Sequence, residues 1–450
     1  MLGAFPALLI GLSFGLGKIV RDCSLTCNIG FKLSPLAILA VGLASLPVSS
    51  ITLRSAGRMG YKRWQTLSLG AIAASFFLFW AATFLVLKLT PQTAPSDVSG
   101  RLWTFPLGAI YLCFFVWIGA LGAALKPNIK STIYRLFPPH QQAKALAVTT
   151  AAVILGGLIG AWTAGRVAPA VMRYFGVRYE LARDSLILMM GLLMLLCIPA
   201  VRLIARVNRE SDRAYSPTPA VDDPDTAAPA LDRLTLRNGI RIVMGESKLK
   251  RMASLIVATG VAESIILYLF YWLVSEQVPA TAGRTLFFSD FYIWLNAWTL
   301  VFLVFGSNRL INRFGLFLAL AALPFALFLG TAYLLYHSAV AAMYVVRIIY
   351  SSFEQSLYGQ GLDRMMLDID PSQEPIARPL LHGLAIRVGR GGGALLVLLL
   401  ALGAGISFSH LTIVLMILLL IWLGIALSLK GYLHRSSPMA PPLHQLRATE

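Results

Sequence analysis

The feature that most constrains this chain is a succession of long apolar stretches, each close to twenty residues, separated by shorter polar segments. An α-helix needs about 20 apolar residues to cross the hydrocarbon core of a bilayer. Hydrophobic residues make up 57% of the 450 residues and charged residues only 13%, against roughly a quarter in soluble domains. The sequence therefore predicts an all-α, polytopic membrane protein with twelve transmembrane helices, at 3–24, 35–53, 66–88, 105–125, 145–165, 184–204, 252–275, 286–306, 314–336, 339–357, 379–402 and 407–429.

A polar stretch rich in Pro, Asp and Ala interrupts the apolar pattern between residues 205 and 250. Its composition is typical of a linker, and six predicted spans lie on each side of it. Loops at matching positions are similar: LRSAGRMG follows the second span and SNRLINRFG follows the eighth. This repeat predicts two six-helix bundles with a major facilitator-like architecture. The predicted domains are a bundle at 1–204, a cytoplasmic linker at 205–250, a bundle at 251–430 and a cytoplasmic tail at 431–450.

Basic residues are concentrated beside the predicted spans and give the chain a net charge of +18. Lys and Arg in short loops mark the cytoplasmic side of membrane proteins, so this charge does not indicate a nucleic-acid partner. The loops after the second, fourth and eighth spans share one side, which predicts cytoplasmic termini in a bacterial inner membrane. The loop at 165–184 is also basic and disagrees. The supporting residues are Arg54, Arg58, Lys62, Arg63, Lys126, Lys130, Arg135, Lys144, Arg309 and Arg313.

Three charges stand near the end of the first predicted span, in GLGKIVRDCSLTC. Lys18 and Asp22 are four residues apart and Lys18 and Arg21 three, so all three side chains can share one helix face. A charge near a helix centre costs about 2.5 to 3.5 kcal/mol, so such residues usually face the protein interior or a water-filled cavity. The alternative is that they anchor the helix end at the membrane surface.

Charges recur in three later spans. Glu263 is the single acid of the seventh span. It either faces the transport pathway or neutralises a neighbouring Arg. In the tenth span, steps of four, three and four place Arg347, Ser351, Glu354 and Tyr358 on one helical face.

The eleventh span has Arg387 and Arg390 one turn apart, followed by glycines 391–393. Glycines let a neighbouring helix or a substrate approach the backbone closely. Tight helix packing alone would explain the glycines but not the two arginines.

These charges predict the function. In a six-plus-six repeat the first, fourth, seventh and tenth helices line a central pathway with the eleventh beside them, and cations outnumber acids there. Guanidinium groups bind carboxylates and phosphates through paired hydrogen bonds, which predicts a monomeric secondary transporter of a small organic anion. The predicted substrate-binding residues are Lys18, Arg21, Asp22, Arg347, Arg387 and Arg390, and the predicted proton-coupling residues are Glu263 and Glu354.

Three motifs resemble the nucleotide (ATP/ADP) transporter family: KIVRDCSLT, the QQAKAL run leading into the Gly-rich fifth span, and ARPLLHGLAIRVGRGGGALL. The resemblance implies that Arg21 and Asp22 match the basic-Asp pair of that family and that Arg390 replaces its late-helix lysine, so that these cations contact substrate phosphates. Gln142 stands where the family usually has an acid, and the seventh span lacks a Glu-x-x-Trp-Lys run. The chain therefore resembles a divergent member whose substrate need not be a nucleotide.

The sequence also bears on functions other than transport. We predict no enzyme, metal or cofactor, because the six histidines form no HExxH spacing and no GxSxG occurs. The cysteines form no CxxC motif, so small packing residues are the simpler interpretation. A non-transporting sensor or assembly factor on the same fold, or a major facilitator transporter of an unrelated solute, remains the alternative. The histidines are His140, His337, His382, His410, His434 and His444, and the cysteines Cys23, Cys27, Cys113 and Cys197.

Overall fold

The computed structural model describes residues 4–59, 61–89, 106–136, 139–177, 179–215, 236–279, 282–367 and 380–435. Every regular element within these ranges is helical. Ten of the described helices are long and apolar enough to cross a membrane, which confirms an all-α integral membrane protein. Of the other two predicted spans, the fourth is apolar over a shorter stretch, Pro106–Gly122, and the tenth carries Arg347, Ser351, Ser352 and Glu354.

The first half of the chain forms six helices. They are α1 Ala4–Ser24, α2 Ser34–Met59, α3 Tyr61–Leu89, α4 Pro106–Leu136, α5 Pro139–Phe175 and α6 Tyr179–Tyr215. A π-helical turn, Leu25–Ile29, continues α1. Several of these helices run past their predicted ends, because a helix does not have to stop where the hydrocarbon does. In α6 the apolar segment ends at Leu203, whereas the helix continues to Tyr215.

The second half also forms six long helices, several with internal π turns. They are α7 Ser247–Gln277, α8 Ala282–Val301 with Phe302–Gly306, α9 Ser307–Tyr336, α10 Val340–Phe353 with Glu354–Tyr358 and Gly359–Leu367, α11 Leu380–Ala385 with Ile386–Val397 and Leu398–Gly403, and α12 Phe408–Arg435. A short linker helix, Leu236–Gly245, precedes α7, so the predicted linker at 205–250 contains helix at both ends. Residues 216–235 lie outside the described ranges.

The packing repeats after six helices, as the sequence predicts. In the first half α1 packs on α5, α6 and α4, α3 on α6, and α2 on α4; in the second half α7 packs on α11, α12 and α10, α9 on α12, and α8 on α10. The two halves meet where α5 contacts α8 and where α2 contacts α11, which are again equivalent pairs. This arrangement leaves α1 against α8 and brings the end of α1 to the boundary between the halves.

Glycines set the closest helix contacts in each half. A Cβ atom on Gly11 of α1 would lie 2.1 Å from the carbonyl oxygen of Val153 on α5, and one on Gly160 would lie 2.4 Å from that of Leu12. No side chain fits at such distances, so α1 and α5 touch through their backbones.

The same contact joins α7 and α11. A Cβ atom on Gly389 would lie 2.4 Å from the carbonyl oxygen of Val257, and one on Gly393 would lie 2.7 Å from that of Val261. Of the predicted run at 391–393, only Gly393 has this role, because Gly392 has no neighbouring atom within 4 Å. The packing glycines are therefore Gly389 and Gly393, four residues apart on one helix face.

Candidate functional site

Asp22, in the last turn of α1, joins the two halves of the molecule. Its side chain is 1% exposed and accepts hydrogen bonds from the hydroxyls of Tyr271 on α7, at 2.8 Å, and Tyr292 on α8, at 2.5 Å. The neighbouring Arg21 donates from Nε at 2.6 Å. We call Asp22, Tyr271 and Tyr292 the inter-half clamp. It lies toward the end of the molecule where α1 and α7 finish and α8 begins. Tyr271 is six residues before the end of α7, and Tyr292 is ten residues after the start of α8.

Further polar contacts between the halves surround this clamp. The Cys23 thiol lies 3.0 Å from the Thr285 hydroxyl on α8, and Arg284 donates to the carbonyl oxygen of Thr26. One turn after Thr285 on α8, the hydroxyl of Ser289 donates to the carbonyl oxygen of Ala161 on α5 at 2.6 Å. Hydrogen bonds as well as apolar packing therefore close this end of the molecule.

The other two predicted residues of α1 lie beside the clamp. The Lys18 ammonium is 5.5 Å from the centre of the Tyr292 ring, and the Arg21 guanidinium is 5.0 Å from that of Phe115 on α4. Asp22 thus contacts α7 and α8 of the other half. The predicted residues Arg387 and Arg390 lie on α11, which contacts α7 and α2.

A second cluster lies on α7, α10 and α11. Glu263 accepts a hydrogen bond from Arg390 Nε at 2.6 Å, in an ion pair whose side chains are 15% and 38% exposed. The hydroxyl of Ser264 donates to the backbone carbonyl of Arg390 at 2.8 Å, beside the glycine contact between α7 and α11. Glu263 thus neutralises a neighbouring arginine, as one of the two sequence interpretations expected. Arg387 is partly buried one turn before.

Arg347 and Tyr350 of α10 complete this cluster. Arg347 is 9% exposed, and its guanidinium lies 5.5 Å from the centre of the Tyr350 ring. Nη1 of Arg347 is buried and has no hydrogen-bond partner within the described ranges, and Tyr350 lies beside the Glu263 carboxylate. Arg347 also interacts electrostatically with Glu263 and with Tyr292 of the clamp. We call Glu263, Arg347, Tyr350 and Arg390 the arginine cluster.

The predicted polar face of α10 lies against α7 at both ends. Arg347 is within electrostatic range of Glu263, and the hydroxyl of Tyr358 lies 2.7 Å from that of Thr259, four residues before Glu263 on α7. Between them, Ser351 is buried and Glu354 is partly exposed, within electrostatic range of Tyr350. The π turn Glu354–Tyr358 therefore does not turn Tyr358 away from α7.

The first half contains a fully buried charged network that the sequence pattern does not predict. Arg183 and Asp184 of α6 are 1% and 0% exposed, and both bond to the hydroxyl of Tyr111 on α4. Arg183 also donates to the side-chain oxygen of Asn28, in the π turn that continues α1, at 3.1 Å. The sequence signal for it is the adjacent pair Arg183–Asp184, which stands at the boundary between the predicted loop at 165–184 and an apolar span. Because the Arg183 side chain is buried inside the protein, it should not be counted among the basic residues of the loop at 165–184, whose charge disagrees with the predicted orientation.

The tyrosines of the clamp were also missed. Tyr271 and Tyr292 lie within apolar spans, where a tyrosine is indistinguishable by sequence from a packing aromatic. Their partner Asp22 comes from a helix about 250 residues away in sequence, so no local pattern links them.

Comparisons with known proteins give the class of fold. No protein-family model and no curated protein matches the chain. Among solved structures, the partially occluded, inward-open xylose transporter XylE from E. coli is similar at a TM-score of 0.63 with 15% identity, covering 95% of this chain and 96% of that one. A POT family transporter in complex with 5-aminolevulinic acid is similar at 0.60 with 13% identity, covering 95% and 96%.

A bacterial homologue of the human lysosomal transporter Spinster is similar at a TM-score of 0.57 with 12% identity, covering 97% of this chain and 99% of that one. These likenesses over nearly the whole length confirm the predicted major facilitator-like fold. The more specific resemblance to nucleotide transporters stays a prediction.

Proposed function

We propose that this protein is a secondary active transporter that moves a small organic anion across the membrane by alternating access. The observation that carries the proposal is the inter-half clamp, in which Asp22 of one half accepts hydrogen bonds from Tyr271 and Tyr292 of the other. Such a contact closes one end of the molecule reversibly, because water can replace each hydrogen bond. The net worth of a hydrogen bond to a charged group is about 1.5 to 3 kcal/mol.

The distribution of contacts supports movement of one half against the other. The backbone-to-backbone glycine contacts lie inside the halves, between α1 and α5 and between α7 and α11. Contacts at the clamp end include hydrogen bonds between side chains of the two halves. Two rigid bundles that rock about a shared site are what alternating access requires.

The charge balance favours an anionic substrate. Three cations, Arg347, Arg387 and Arg390, lie together with two acids, Glu263 and Glu354, so positive charge is in excess. The buried Arg347 Nη1 has no hydrogen-bond partner among the described residues. A buried charge without a counter-charge is costly, so a carboxylate or phosphate of the substrate supplies the missing negative charge. We retain Lys18, Arg21, Asp22 and Arg387 as further substrate contacts. A nucleotide is one candidate within this class.

Proton coupling is the second part of the proposal. Glu263 is held by Arg390, so a substrate anion that binds Arg390 would leave the Glu263 carboxylate without its partner. Uptake of a proton by Glu263, with Glu354 as the neighbouring acid, would then return the site to the net charge that it had before the anion bound. This exchange links one anion to one proton.

Orientation follows from the basic loops. With both termini in the cytoplasm of a bacterial inner membrane, the clamp closes the periplasmic side of the molecule. The internal position of Arg183 supports this orientation, because it removes one charge from the loop that disagreed. We propose that the monomer is the transporting unit and that neither an enzyme activity nor a cofactor is involved.

The test is a ligand screen followed by transport. Purified protein in detergent is heated with nucleotides, sugar phosphates, carboxylates and peptides, and stabilised mixtures are assayed for uptake into proteoliposomes. A transporter of anions gains thermal stability with one acidic class and accumulates it. If no solute stabilised the protein and a protein partner did, the chain would be a sensor or assembly factor instead.

A further inference from the structure

The linker helix, Leu236–Gly245, exposes an apolar strip next to the membrane. Val243 is 6% exposed and packs into the core of the molecule, and Ile242 packs against the same core. Ile240 and Met244, four residues apart and therefore on one strip, are 43% and 55% exposed and point away from the bundle. The described side chains of this helix thus have one face on the protein and one apolar strip without protein cover.

A sharp bend places this helix at the membrane surface. Glu246, between the linker helix and α7, has an extended backbone (φ −95, ψ 121), so the two helices do not share an axis. Hydrogen bonds from Glu246 N to the Ile242 carbonyl and from Lys250 N to the Glu246 carbonyl keep the bend compact. Because α7 spans the membrane, the linker helix leaves it at the level where α7 enters.

The same segment is strongly basic. Arg241 and Lys250 are exposed, and Arg251 donates from its guanidinium to the Ser428 carbonyl on α12, which fixes the first turn of α7 against its neighbour. Glu246 is the one acid of residues 236–251 in the sequence. The basic residues of that stretch are Arg237, Arg241, Lys248, Lys250 and Arg251.

We propose that the linker helix and the first turn of α7 form a binding surface for anionic lipid headgroups. Ile240 and Met244 insert at the boundary between headgroups and acyl chains, while Arg241 and Lys250 bind lipid phosphates. An amphipathic helix with a basic polar side lies in the membrane interface in this way, and its binding strength follows the anionic lipid content.

A bilayer fits this surface better than a protein partner. The segment is covalently continuous with a spanning helix, so it is always within reach of the lipid. A leaflet offers an apolar layer and an anionic layer at adjacent depths, which matches the adjacent apolar strip and exposed cations. Anchoring here holds the start of α7, the helix that carries Glu263 and Tyr271, at a fixed depth in the membrane.

Hydrogen–deuterium exchange of the intact protein in vesicles tests the proposal. Phosphatidylcholine vesicles are compared with vesicles containing equal amounts of phosphatidylcholine and phosphatidylglycerol. We expect the peptide that covers residues 236–250 to exchange several-fold more slowly with the anionic lipid. The double substitution Arg241→Glu and Lys250→Glu removes this slowing, and so does high salt with the wild-type protein, because salt screens exposed charges.

The matched control is Lys88→Glu, an exposed lysine at the opposite end of the molecule, which keeps the slowing. Equal exchange in the two lipids would overturn the proposal, and so would slowing that survives both high salt and the double substitution. Inorganic phosphate added to phosphatidylcholine vesicles separates the sources of anion: if it slowed exchange as well as the lipid did, the surface would be a free-anion site.

Discussion

At the residue scale, the proposed selection of the solute rests on the arginine cluster. Arg347 and Arg390 both interact with Glu263, and Arg390 also interacts with Glu354. The planar fork of a guanidinium binds a carboxylate or phosphate through two parallel hydrogen bonds, which an ammonium group cannot do. On this proposal, the site selects for an acidic group and for its geometry.

Substitution of Arg347 tests this selectivity. Arg347→Gln removes a charge-assisted hydrogen bond to the substrate, worth about 1.5 to 3 kcal/mol, and so weakens binding roughly 10- to 100-fold. The fold is retained because the variant no longer buries an unpaired charge. Ligand-dependent thermal stabilisation and uptake into proteoliposomes measure the effect. Arg173→Gln, at an exposed position near the end of α5, is the control and leaves both unchanged. Equal binding by the two variants would contradict an anion site at Arg347.

The proton-coupling role of Glu263 makes a separate prediction. Glu263→Gln keeps the size of the side chain and a hydrogen-bond acceptor for Arg390, but cannot take up a proton. We expect uptake by the variant to lose its dependence on pH while the protein remains folded. Glu354→Gln is measured in parallel, and wild-type pH dependence in both variants would refute the coupling. Uptake measured against pH in vesicles, with circular dichroism as the folding check, gives the answer.

At the element scale, paired helices rather than single helices are the rigid parts. Glycine contacts join α1 to α5 and α7 to α11 at equivalent places of the repeat. In a bilayer the apolar surface of a helix gains little from burial against another helix, so close van der Waals packing of small residues provides much of the association. Each half can then move as one body.

Single methyl groups test these contacts. Gly11→Ala and Gly389→Ala place a Cβ atom 2.1 and 2.4 Å from a facing backbone oxygen, so the helices must separate. We expect each to destabilise the protein by about 1 to 3 kcal/mol, the usual cost of overpacking. Thermal unfolding in detergent measures the loss. Gly392→Ala, where nothing lies within 4 Å, is the matched control on α11 and leaves the melting temperature nearly unchanged. A similar loss in the control would mean that helix packing is not the cause.

At the scale of the whole molecule, the clamp couples the two halves at one end. Asp22, Tyr271 and Tyr292 come from three different helices, and the Cys23 thiol lies at the same interface, fully buried against Thr285. Separation of the halves at this end would expose Cys23 to the solvent. The native cysteine is therefore a reporter of opening.

The clamp prediction uses this reporter. In a protein whose other three cysteines are replaced by serine, Asp22→Asn weakens two hydrogen bonds to a charged acceptor. We expect modification of Cys23 by a membrane-impermeant maleimide to become at least about tenfold faster, since a factor of ten needs only ~1.4 kcal/mol. Asp290→Asn, an exposed acid on α8, serves as the control. Labelling at the wild-type rate in Asp22→Asn would show that the clamp does not hold this end closed.

The sequence by itself determined the class of fold. Apolar stretches of fixed length define spans because the bilayer has a fixed thickness, and the repeated loops gave the six-plus-six arrangement that the packing of the helices confirms. The sequence also identified Lys18, Asp22, Glu263, Arg347 and Arg390 as unusual. A charged side chain within an apolar span costs free energy to remove from water, whether it then faces lipid or the protein interior. These properties are local, so they can be read along the chain.

Only the tertiary structure decided the partners of these charges. Asp22 bonds to Tyr271 and Tyr292 of the other half, and Arg183 is internal rather than in a loop. Which side chains meet depends on the rotation and offset of packed helices. Contacts between helices far apart in sequence leave no periodic signal, because each helix satisfies its backbone hydrogen bonds within itself. The hydrophobic pattern of a helix shows only which of its faces avoids the lipid or the solvent, and not which helix that face contacts.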